Sequence, residues 1–209
     1  MGWLDRFKKR DARTGVAAVT STQAHPSASR QPSWYVPSDG DPDRFLPGPD
    51  GFPPLHLIDY RDSGGARNLR LCEDSTGLLV GPTDRRLFRA GVYSYNVRGE
   101  SYHRAACRRA DLRPGRPVQL VREPENKHDP NAVAVRSPAG ETLGYISKGH
   151  AKRLAKLLDA GLQLDAVSVR GEGPGTPTES VAVVAATPAV LAHLLSPRPR
   201  GLPRPVHGR

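Results

Sequence analysis

Between Arg122 and Val135 the chain reads REPENKHDPNAVAV. Within it an amide, an ammonium, an imidazole and a carboxylate follow one another at Asn126, Lys127, His128 and Asp129, and Asn131 closes the run. Such groups in a loop between two apolar strands have three uses. His128 and Asp129, joined by His103 from farther back, could hold a divalent metal and hydrolyse phosphoester bonds. The same donors and acceptors could line a pocket that binds without reacting. Asp129 and Asn131, flanking Pro130, could instead cap a turn with their own side chains, as Asx residues commonly do.

The elements that must position this loop are short strands. PVQLV leads into it and AVAVRS leaves it, with Pro138 to Gly140 turning the chain into ETLGYIS. Upstream, GVYSYNVRG sets Val92, Ser94 and Asn96 on one face and Tyr93, Tyr95 and Val97 on the other, a period of two that marks a strand. Four strands joined by short turns describe a small meander or barrel. A helix follows, with Ala151, Leu154, Ala155 and Leu158 on one stripe, Ser147 as N-cap and Gly161 as stop. Its other side carries Lys148, Lys152 and Lys156, spaced as a solvated face or a rail for phosphates. LDAVSVRGEG and ESVAVVAAT add two alternating strands, and Pro188 opens a brief second helix.

The flanks differ in composition. In 209 residues there are 21 prolines and 21 glycines, concentrated enough that residues 1–54 read as disordered linker. Trp3, Leu4 and Phe7 form a short basic amphipathic start, suited to an anionic membrane surface or a partner groove. Residues 55–90 are an uncertain lead-in or a small β extension, residues 91–195 a compact domain, and residues 196–209 a disordered Pro/Arg tail. The net charge of +10 lies on both ends and on the central domain, which favours a polyanionic partner. Cys72 and Cys107 are too few for a disulfide framework or a four-cysteine metal site. No apolar run reaches the roughly 20 residues of a membrane span, so a reduced, cytoplasmic protein is expected.

RGESYH, VQLVREPENKHDPNAVAV, GETLGYISK and the helix LAKLLDAG together resemble a HIRAN domain, known from the N-terminus of certain DNA repair translocases and as a stand-alone bacterial protein. The resemblance covers roughly Val92 to Arg170. It implies a mainly β fold with helices, an OB-like six-stranded barrel, and binding of single-stranded DNA at a free 3′-hydroxyl end. It also implies roles: Tyr102 stacks on a terminal base, Asn126 lies beside the backbone, Asp129 accepts from the 3′ hydroxyl, Tyr145 faces the strand, and Lys148 contacts a phosphate, with Lys152 further along the same rail. His128 stands where the family usually has a second aromatic, and Ser101 where eukaryotic members have Arg. No G-x-x-x-x-G-K-[ST] phosphate loop accompanies the module, so it is expected to bind without a motor or cofactor. A metal-dependent hydrolase and a membrane-surface or protein-binding adaptor are the other readings, and both tyrosines would also serve as core residues with a wet hydroxyl.

Overall fold

The computed structural model describes residues 34–178 and 180–206. The N-terminal segment with Trp3, Leu4 and Phe7, and the last three residues of the tail, lie outside the described residues.

Eight strands and four α-helices follow one another along the described chain. A hairpin comes first, β1 (Leu55–Arg61) with β2 (Arg67–Glu73), followed by the short α1 (Arg85–Arg89). β3 (Tyr93–Arg98), β4 (Pro117–Arg122), β5 (Val133–Arg136), β6 (Thr142–Ile146), β7 (Asp165–Arg170) and β8 (Ala182–Ala186) close into an antiparallel barrel of order β3-β6-β5-β4-β7-β8. Between β3 and β4 run a 3₁₀ turn (Glu100–Tyr102) and α2 (Arg104–Arg109), a stretch whose helical state the sequence pattern did not declare. α3 (Lys148–Asp159) joins β6 to β7, and α4 (Pro188–Leu195) follows β8.

Period-two patterning explains the layering. Tyr93, Tyr95 and Val97 of β3, Val133 and Val135 of β5, and Val183 and Ala185 of β8 point into the barrel, where α3 adds Ala151, Leu154 and Ala155. The alternate residues of β7 and β8, Val167, Val169, Val184 and Ala186, are apolar too. A strand buried on both faces reads as a continuous apolar run. The cover is a second layer made of the hairpin, α4 and the chain before the hairpin, contributing Leu55, Leu57, Leu71, Leu191 and Phe45. The lead-in at 55–90 therefore shares a core with the barrel instead of extending from it.

Residues 34–54, expected as linker, are part of that layer. Phe45 is 0 % exposed and Val36 is buried. Arg86 is the reason: buried on α1, it donates to the carbonyls of Pro37 (2.7 Å) and Asp41 (3.3 Å) and lies 4.8 Å over the Phe45 ring. Its charge is balanced by Asp84 at 2.7 Å. The tail is also held as far as Val206. Arg198 donates to the Asp74 carboxylate (3.0 Å) and to the Asp74 carbonyl (2.6 Å), and the Val206 amide donates to the Gly77 carbonyl at 2.9 Å. Contacts formed across such sequence distances leave no local period to read.

Gly144, in the GYI stretch of β6, has φ +152°, and a Cβ there would stand 2.6 Å from both the Arg98 carbonyl oxygen and Val97 Cγ1. Its absence of a side chain is what lets β3 and β6 close the barrel beside the candidate site.

Candidate nucleic-acid interface

The loop from Glu123 to Ala132 is a series of tight turns at the end of the β4–β5 hairpin. The Glu123 amide donates to the Ala132 carbonyl (3.0 Å), Asn126 to Glu123 (3.0 Å), Asp129 to Asn126 (3.2 Å) and Ala132 to Asp129 (2.9 Å). Side chains reinforce the turns. Asn126 Oδ1 accepts from the His128 amide at 3.0 Å, and Asp129 Oδ1 accepts from the Asn131 amide at 2.8 Å. The Asx capping weighed for this segment is thus realised, with Asp129 as the acceptor and Asn131 as the donor. Both capping bonds end on Oδ1, which leaves Oδ2 of the half-buried Asp129 to accept from another group.

Glu123, not singled out from the sequence, is the hub. Its carboxylate accepts from Asn126 Nδ2 (2.9 Å), from Arg136 (2.8 Å) and from the Tyr145 hydroxyl. Burial pushes its pKa up, but these donors outweigh burial and hold the carboxyl below its usual range. Burial and the neighbouring Glu123 charge raise Tyr145, which stays a protonated donor. A strand-terminal Glu one residue before Pro124 was the available signal, but only the fold brings it its partners.

Tyr145 occupies β6 opposite Arg98 of β3 and Ala134 of β5. It is half-buried, and its ring lies 5.9 Å from that of His103. The 3₁₀ turn that ends at Tyr102, next in the chain to His103, packs against β6. Tyr102 itself is 90 % exposed. That exposure excludes a core role for Tyr102, whereas Tyr145 does combine a packed ring with a polar tip. The turn forms because Gly99, at φ +84°, reverses the chain as β3 ends.

α3 is tied to the same loop. Arg122 donates to both carboxylate oxygens of Asp159 at 2.9 and 3.1 Å and to the carbonyls of Pro130 (3.1 Å) and Ala132 (2.9 Å). Lys148 opens the helix directly after β6, and it and Lys152 are exposed. Neither lysine joins an ion pair among the described residues, in contrast to Arg109, Arg113 and Arg122. His128 is exposed at the loop tip. The fold therefore joins Asn126, Asp129 and Tyr145 through contacts, sets the Tyr102 turn against β6, and starts Lys148 from its end. For Lys152 and His128 it specifies exposure and no contact to the others.

The metal reading finds no frame: among the described residues no group of three or more His, Cys, Asp or Glu could hold a metal ion. His103 packs on Tyr145, and Asp129 is engaged in its turn.

A closed six-stranded antiparallel barrel with a polar, aromatic-flanked hairpin loop defines a small β-barrel domain. Residues 90–182 match the model of the HIRAN domain family. The crystal structure of the HIRAN domain of human HLTF is 24 % identical, with 50 % of this chain and 83 % of that one covered and a TM-score of 0.37. A protein from Lactobacillus plantarum is 27 % identical, with 46 % and 99 % covered and a TM-score of 0.35. No curated protein matches the chain.

Proposed function

We propose that the protein is a nucleic-acid-binding module that receives the 3′-hydroxyl end of a single DNA strand at Tyr102, Asn126, Asp129, Tyr145 and Lys148. The observation that carries this reading is Tyr102, a large ring held 90 % exposed on a short rigid turn beside a hydrogen-bonded polar cluster. A ring presented to solvent at a glycine-made turn is a platform for a base, and base stacking is tolerant of sequence. The free Oδ2 of Asp129 suits a hydroxyl donor and repels a phosphate, which gives selectivity for the chemical state of an end without base readout. Unpaired lysines along α3 add affinity that falls with salt. The match of residues 90–182 to the HIRAN family model supports the same reading.

Fluorescence-anisotropy titrations with single-stranded oligonucleotides ending in a 3′ hydroxyl or a 3′ phosphate test it. The hydroxyl end is expected to bind more tightly, and Asp129→Ala to erase the difference between the two. Equal binding of both ends by the unmodified protein would refute end recognition. Absence of binding to either at low salt would refute the nucleic-acid reading altogether.

A further inference from the structure

A cavity of about 220 Å³ lies on the barrel away from the β4–β5 loop, walled by Phe88 of α1, Tyr93 and Tyr95 of β3, and His150 and Arg153 of α3. α1 precedes the residues that match the family. The cavity thus arises where the chain's own lead-in meets the barrel.

Its walls have an unusual chemistry. Tyr93 and Tyr95 are 6 % and 8 % exposed, yet among the described residues neither hydroxyl has a hydrogen-bond partner, and neither is sealed from solvent. Solvent therefore reaches both hydroxyls, and an acceptor bound in the cavity that both residues line competes only with water for them. Arg153 stands over Phe88, its guanidinium carbon 3.2 Å from the ring centroid, and Phe88 meets Tyr93 edge-on at 5.1 Å. That stacking holds the positive charge at the rim instead of letting it swing into solvent. Burial pushes Tyr95 up to about 12 and raises Tyr93 as well, while the charge of Arg153, which lines the same cavity, draws both back. At neutral pH both phenols are therefore donors. The one carboxylate in the wall, Asp84, is occupied by Arg86 at 2.7 Å. Two phenol donors, an oriented guanidinium and no free acid make a site for an anion.

The volume falls below the roughly 300–1,000 Å³ of sites for drug-sized ligands, which limits the occupant to a small group. Lys148 and Arg153 are five residues apart on α3, about 7.5 Å along the axis. The two also stand about 140° apart around the helix, so a strand that contacts Lys148 reaches the cavity by curving around α3.

We propose that the cavity is a second subsite for the bound nucleic acid, one that takes a backbone phosphate through the Tyr93 and Tyr95 hydroxyls and Arg153. This rests on the nucleic-acid reading above. It adds a contact upstream of the strand end, with Arg153 held in place by Phe88 from a segment outside the family match.

The test uses the full chain, a labelled trinucleotide and a labelled decanucleotide, both with 3′ hydroxyls. The Tyr93→Phe/Tyr95→Phe variant keeps both rings and removes both donors. It is expected to bind the trinucleotide as the unmodified protein does and the decanucleotide roughly tenfold more weakly, as loss of hydrogen bonds to a charged group implies. Arg153→Ala, a change at an exposed position, is expected to lower the salt slope for the decanucleotide by about 1. Decanucleotide binding unchanged in both variants would overturn the subsite while leaving end recognition standing. If the unmodified protein binds neither oligonucleotide, the strand reading fails, and inorganic phosphate becomes the probe. Phosphate-dependent NMR shifts at Tyr93 and Tyr95 would then support an anion site at this cavity, and their absence would overturn it.

Discussion

Replacing Tyr102 by alanine separates the proposed binding role from folding. A tyrosine that is 90 % exposed keeps only about a tenth of its surface against the protein. Of the roughly 200 Å² an aromatic side chain can bury, that is about 20 Å². At about 25 cal/mol per Å² the folded state loses about 0.5 kcal/mol. A base stacked on the same ring is worth about 1–3 kcal/mol, equivalent to roughly five- to 140-fold in affinity. Tyr102→Ala is therefore expected to leave the urea unfolding midpoint nearly unchanged and to weaken oligonucleotide binding by a factor in that range, as read by fluorescence anisotropy. In the proposed contact the ring face and not the hydroxyl meets the base, so Tyr102→Phe should restore most of the affinity. Binding unchanged by Tyr102→Ala would refute the stacking argument. A large fall in unfolding midpoint would show instead that the turn depends on this ring.

Removing the hub carboxylate by Glu123→Ala is expected to destabilise the protein by about 1–3 kcal/mol at neutral pH, because Arg136, Asn126 and Tyr145 lose their common acceptor. The folded-state pKa of Glu123 is lowered, so its contribution is present above the unfolded carboxyl value of roughly 4.3 and is lost as pH falls through the folded one. Urea unfolding of both proteins across that interval should show the difference shrinking with acidification; a constant difference would contradict the assignment. Phe45→Ala should cost about 3–5 kcal/mol, as for a ring lost from a packed core, and the same unfolding measurement checks it. No loss would mean that residues 34–54 behave as the linker their composition suggests.

The amino-acid sequence by itself determined the barrel strands and α3. Tyr93-Tyr95-Val97 and Val133-Val135 alternate as half-buried strands must, and Ala151, Leu154 and Ala155 recur at the spacing of one helix face. Those are local periods, readable without knowing what they pack against. The loop residues Asn126 and Asp129 were legible for the same reason, as a compact motif between two apolar runs.

Tertiary structure decided the rest. Whether Phe45 is linker or core depends on Arg86 some forty residues later, and whether the tail is free depends on Asp74 reaching Arg198. Glu123 becomes a hub only when β5 and β6 bring Arg136 and Tyr145 to it. Tyr93 and Tyr95 read as one face of a strand until α1 and α3 close beside them and make them part of a cavity wall. Burial and hydrogen-bond partners are properties of distances in space, and a chain states only the order along itself.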